Sequence, residues 1–172
     1  MPNDVGFSIL LRRSAVVTGL MFWQGGFTFY AAVVVPIGQQ VLGSHLAQGF
    51  ITREVTSWLN LAGVAALMLM AWDLAVAQTL TMHRLARWAV WTAMLILLVV
   101  LFWLHQYLDS LIDLEIQELR QPRLFRAGHR WYLWINTIQW AFAILFTILT
   151  LQAWRAEDRT AGSRMPKELP GA

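Results

Sequence analysis

Residues 14–52 carry no lysine, arginine, aspartate or glutamate, an uncharged stretch of 39 residues, and three further apolar runs follow it. About 20 consecutive apolar residues are enough for a helix to cross the hydrocarbon core of a bilayer. In that medium each backbone N–H and C=O must find its partner inside the segment, so such runs fold as helices. The expected spans are residues 14–37, 56–77, 87–108 and 131–154. This predicts an all-α integral membrane four-helix bundle, a multi-pass protein whose first partner is the lipid bilayer.

Composition agrees with that class. Only 13% of the 172 residues are charged, against about 25% in a soluble domain. Ten tryptophans and nine phenylalanines suit aromatic anchoring at two membrane interfaces. With no cysteine, disulfides, thiolate ligands and thiol chemistry are excluded. The net charge of +3 is spread over the junctions between runs, without the basic block interleaved with aromatics that nucleic-acid binding requires. The first run is too long for a secretory signal peptide and lacks its small-residue cleavage site, so it is expected to be retained.

Taken in order, the first span contains Trp23, Gln24, Gly25 and Gly26, with Pro36 near its end. Residues 38–52 mix Gln39, Gln40, His45 and Gln48 with apolar residues at near-helical spacing, which predicts a short interfacial helix after the first span. The second span holds Asn60 near its start and Asp73 near its end. His83, Arg84 and Arg87 follow closely and offer Asp73 an ion pair. In the third span Leu101, Leu104, Leu108, Leu111, Ile112 and Leu119 keep mostly three- and four-residue spacing. That pattern predicts an extended third helix, continuing beyond the membrane to Pro122. It stacks His105, Asp109 and Asp113 on one face. Residues 1–154 form the transmembrane domain, and residues 155–172 read as a disordered polar tail. Eight lysines and arginines lie at the termini and between spans two and three, against five in the other two connections. The bias places both termini in the cytoplasm.

On that topology Asn60, His105, Asp109, His129 and Asn136 gather at the non-cytoplasmic end, where polar side chains near apolar spans face a bundle interior or a watery cavity. His129 and Asn136 are two helical turns apart and share a face. Three chemistries fit the residue types. His105, Asp109 and His129 match the donor set of a divalent-metal site. His105 and His129 match the axial pair of a b-type haem. His105 with Asp109 and Asp113 has the groups of a proton relay. Against these stands a structural account in which Asp109, Asp113, Glu115 and Glu118 pair with Arg120, Arg123, Arg126 and Arg130 to tie a solvated hairpin. There is no glycine-rich phosphate loop, nucleophile elbow or paired-histidine zinc motif, and the chain is not expected to be an enzyme.

The segment FRAGHRWYLWIN, with Phe125, His129 and Asn136, resembles the last helix of the family of transmembrane protein 205 and its bacterial relatives. WQGGFTFYAAVVVP resembles its first helix, and AQGFITREVTSWLNLAG the entry into its second. The resemblance covers roughly residues 19–151. It departs from the family pattern at Tyr132, Leu133 and Trp134, where small hydroxyl residues are expected. It implies a four-helix membrane domain with no established catalytic residues, in the inner membrane if the source is a bacterium. Two functions are carried forward: binding of an ion or small polar ligand in the pocket around His105, Asp109, His129, Asn136 and Asn60, and a structural or assembly role with a membrane-complex partner or a second copy of the chain. Electron transfer through haem is a third.

Overall fold

The computed structural model describes residues 2–77, 81–113 and 118–163. Four helices in up-and-down order form an all-α bundle, each long and apolar enough to cross a membrane. Short connections between successive helices make neighbours in sequence neighbours in space.

The first helix is continuous from Pro2 to Leu42, but it changes pitch twice, in the wide π-type turns Met21–Gly25 and Tyr30–Val34. Each wide turn inserts a residue into the helical register, and such turns recur at functional sites. Pro36 lies two residues past the second, in the first turn of the segment that follows, where a ring with no N–H is tolerated. Val16 and Leu20 before the first wide turn, and Trp23 within it, pack inward. The Trp23 ring lies against Gly63 of the second helix, where an added Cβ would sit 2.7 Å from a ring carbon. Only glycine allows that approach.

No separate interfacial helix follows the first span. The first helix runs on to Leu42, and the second begins at His45 and extends to Val76. Gly43 ends the one with φ of +60° and an N–H bond to Gln39 O at 3.1 Å, and Ser44 caps the other by accepting from Ala47 N at 3.2 Å. A glycine in the left-handed region followed by a serine N-cap is a tight helix stop and start. The apolar residues at helical spacing in this stretch therefore belong to two helices, and Val41, Leu42, Leu46 and Ile51 are exposed along their outer faces.

The third helix, Thr81–Ser110, is also shorter at its end than its leucine spacing predicts. After Ser110 the chain turns, with Leu111 N bonded to Leu108 O at 3.1 Å, and enters a two-residue strand, Ile112–Asp113, antiparallel to Glu118–Leu119. Leu111 remains buried and Ile112 faces inward, so the apolar spacing is satisfied by a turn folded back on the bundle. Asp113 consequently leaves the His105–Asp109 face and pairs with Arg120 at 3.2 Å. Glu115 lies outside the described residues. The fourth helix opens with Pro122, whose missing N–H costs nothing in a first turn, and runs to Ser163. It thus includes the first nine residues of the expected tail; the remainder of that tail lies outside the described residues.

Packing is uneven along the bundle axis. The half near the termini holds the main core, in which Met70, Leu74, Met94 and Phe146 are wholly buried. The third and fourth helices stay in contact farther on through Leu101, Leu104, Leu108 and Tyr132. In this far half a cavity opens among the four helices.

Candidate functional site

The cavity has a volume of about 390 Å³ and receives side chains from all four helices. Asn60, His105, Asp109, His129 and Asn136 all line it, together with His45. From the second helix come His45, Gln48, Thr52, Thr56 and Asn60, at successive three- and four-residue intervals, so one polar stripe runs down the wall. Asn60 lies 15 residues beyond His45, about 22 Å deeper at 1.5 Å per residue. The fourth helix adds His129 and Asn136 on its shared face. The first helix supplies Trp23, Phe27, Tyr30, Ala31 and Val35, an apolar and aromatic wall opposite the polar ones.

The polar groups are held in place. Arg53 grips Asp109 with both ends of its guanidinium, Nε to Oδ1 at 2.8 Å and an Nη to Oδ2 at 3.1 Å, and its other Nη reaches Glu54 at 2.8 Å. His105 Nε2 is 2.9 Å from Ser57 Oγ and 3.8 Å from Asp109 Oδ2. The His129 ring is stacked on Phe125, its ring centroid 6.1 Å away and the planes within 7°. Gln48 Nε2 donates to Tyr30 Oη at 3.3 Å, and that hydroxyl donates to Thr52 Oγ1 at 3.1 Å. At the deep end the Tyr132 hydroxyl donates to Asn60 Oδ1 at 3.2 Å, while Asn136 Nδ2 donates to Tyr132 O at 3.0 Å. The Asn60 side-chain N–H₂ is buried and has no hydrogen-bond partner among the described residues. A buried donor left unpaired costs about 1–3 kcal/mol.

The metal donor set does not assemble. His105, Asp109 and His129 share the cavity, yet among the described residues no three His, Asp or Glu side chains form a group able to hold a metal ion. Both Asp109 oxygens are occupied by Arg53. The pairing expected between Asp109 and the arginines of the hairpin is likewise replaced by Arg53, on the second helix. Arg53 and Tyr132 are the residues that spacing alone misses. The available signal for Arg53 was its isolation as the sole cation between Arg13 and Arg84. Tyr132 is the first of the three residues that depart from the family pattern.

A second polar cluster lies at the termini end. Asp73 and Arg87 pair in full burial, and Arg12 reaches the other Asp73 oxygen at 2.9 Å. Trp154 Nε1 donates to the same carboxylate at 3.3 Å. Of the three cations expected near Asp73, Arg87 makes the pair; Arg12, from the first helix, was not foreseen. Arg13 extends the cluster to Glu157 and Asp158 at 3.2 and 2.9 Å. One carboxylate therefore touches all four helices, and the cluster serves to lock this end of the bundle.

No family model matches the chain, and no curated protein or solved structure is similar to it.

Proposed function

We propose that the chain is a multi-pass membrane protein with both termini on the cytoplasmic side, whose cavity at the opposite end binds a small ligand through hydrogen bonds. The observation that carries this reading is the convergence of Asn60, His105, Asp109, His129 and Asn136 on one cavity whose deepest amide donor is unsatisfied. A concave site with an apolar wall and a few convergent polar groups is the usual form of a small-molecule site. A bare ion is a poorer occupant, since both Asp109 oxygens are neutralised by Arg53. The resemblance to the transmembrane protein 205 family adds to the case, because Phe125, His129 and Asn136, which carry it in the last helix, all line this cavity. The role is binding rather than catalysis.

The test is native mass spectrometry of protein purified in mild detergent from its own membrane. A stoichiometric adduct present in the wild type and lost in His129→Ala and Asn136→Leu is the expected result. If these variants retain every adduct of the wild type, the cavity is not the binding site. A protein that carries only partner chains speaks for the assembly role instead.

A further inference from the structure

Two features of the cavity define the chemistry of its occupant. The first is charge. Arg53 and Asp109 are the formally charged side chains in the wall, and they neutralise one another through two hydrogen bonds. At the deep end the polar groups are Asn60, Tyr132 and Asn136, all uncharged, and the unpartnered one is the Asn60 Nδ2 donor, itself buried in the cavity wall. A charged head placed there would lose its hydration without a counter-ion. A carbonyl or ether oxygen meets the requirement. Opposite stand the rings of Trp23, Phe27 and Tyr30, against which a flat head group packs.

The second feature is an apolar groove directly behind the cavity wall. Phe27 and Ala31 wall the cavity on one side, and on the other they border a groove of about 350 Å³ formed with Thr28, Ala32, Thr137 and Trp140. This groove lies between the first and fourth helices, next to Asn136, and its walls are mainly apolar. Helices that span a bilayer present such a groove to lipid tails. A water-soluble ligand has no use for it.

Building on the binding role proposed above, we infer that the cavity takes an uncharged, membrane-dissolved amphiphile. Its carbonyl-bearing head accepts from Asn60 Nδ2 beside Tyr132 and Asn136, and its apolar tail leaves between the first and fourth helices along Phe27, Ala31, Thr137 and Trp140. The molecule enters sideways from the bilayer, and the mouth lined by Gln39 and His45 admits water above it.

The test uses the full chain in detergent and a decyl-tailed benzoquinone carrying a diazirine on its tail, with a fully methylated, tailless benzoquinone as the head-only probe. After irradiation, peptide mapping is expected to find the label at Phe27, Ala31, Thr137 or Trp140 in preference to other lipid-facing positions. Asn60→Leu, which removes the donor, is expected to lower that labelling roughly three- to tenfold, the loss of one hydrogen bond. Ala32→Trp, at a residue that lines the groove but not the cavity, is expected to lower it as well, so the inference is tested even if Asn60→Leu fails to fold. Labelling spread evenly over the outer surface, or groove labelling indifferent to both variants, overturns the inference. Stabilisation by the tailless probe alone, dependent on Asn60, overturns the side exit but leaves the binding role standing. If neither quinone binds, the carbonyl amphiphile is wrong, and the adduct measured on protein from its own membrane still decides the binding role by itself.

Discussion

Arg87 and Asp73, fourteen residues apart on the third and second helices, form an ion pair from which solvent is fully excluded on both sides. Arg12 and the Trp154 indole close the remaining approaches to the carboxylate. Removing one partner of a buried pair leaves an uncompensated charge, which costs about 3–5 kcal/mol. Asp73→Ala is therefore expected to lower stability by about that amount, measured by unfolding in detergent. The double variant Asp73→Leu with Arg87→Met leaves one buried arginine, Arg12, without its carboxylate in place of two, and is expected to be less damaging than Asp73→Ala alone. Equal losses would mean that the burial of unpaired charge is not what the cluster protects against.

The contact between Trp23 and Gly63 gives a second expectation. A methyl group at Gly63 has no room beside the indole, and overpacking of this kind costs about 1–3 kcal/mol. Gly63→Ala should lower thermal stability in detergent, and Trp23→Phe in the same chain should recover part of the loss. A Gly63→Ala protein as stable as wild type would show that the helices separate freely there.

Arg53 and Asp109 are both about one-quarter exposed, so their two-bond contact is partly screened. A double-mutant cycle of Arg53→Ala and Asp109→Ala should return a coupling of about 1 kcal/mol, at the upper end for incompletely buried pairs. Additive effects would place the two groups in independent roles. Because this pair joins the second helix to the third at the cavity wall, the single variants are also expected to weaken retention of the native adduct.

The lack of cysteine in this chain makes topology directly measurable. A single cysteine at Gly43, in the turn between the first two helices, should react with a membrane-impermeant thiol reagent from the non-cytoplasmic face, and one at Ser163 only from the cytoplasmic face. Reaction of both from the same face contradicts the up-and-down arrangement, and the reverse pattern contradicts the assignment of sides.

Four helices were legible in the sequence because long uncharged runs leave a chain in lipid no other way to pair its backbone. The ends of those helices were not. Gly43 and Ser44 carry a stop and a cap, but the apolar spacing on either side of them reads equally well as one interfacial helix. At the third helix, Leu111 and Ile112 continue the helical spacing while in fact packing inward from a turn. The five polar residues named from spacing do meet, since Asn60, His105, His129 and Asn136 lie in or next to apolar runs and Asp109 is one turn from His105. Which partner each would find was hidden. Asp109 is taken by Arg53, 56 residues earlier, and Asn60 by Tyr132, 72 residues later. Such pairings depend on how the second, third and fourth helices are rotated against one another, which the spacing within any one helix does not set.

A polar cavity opens at the end of the bundle opposite the termini and reaches in among apolar helices. The rate of thiol labelling at single cysteines tests it most directly, in membranes, with an impermeant reagent added from the non-cytoplasmic side. Thr56→Cys lies on the cavity stripe, whereas Leu61→Cys lies on the exposed outer face of the same helix. Rapid modification of Thr56→Cys, slowed when ligand is bound, and none of Leu61→Cys is the expected result. A Thr56→Cys protein as inert as Leu61→Cys would contradict it.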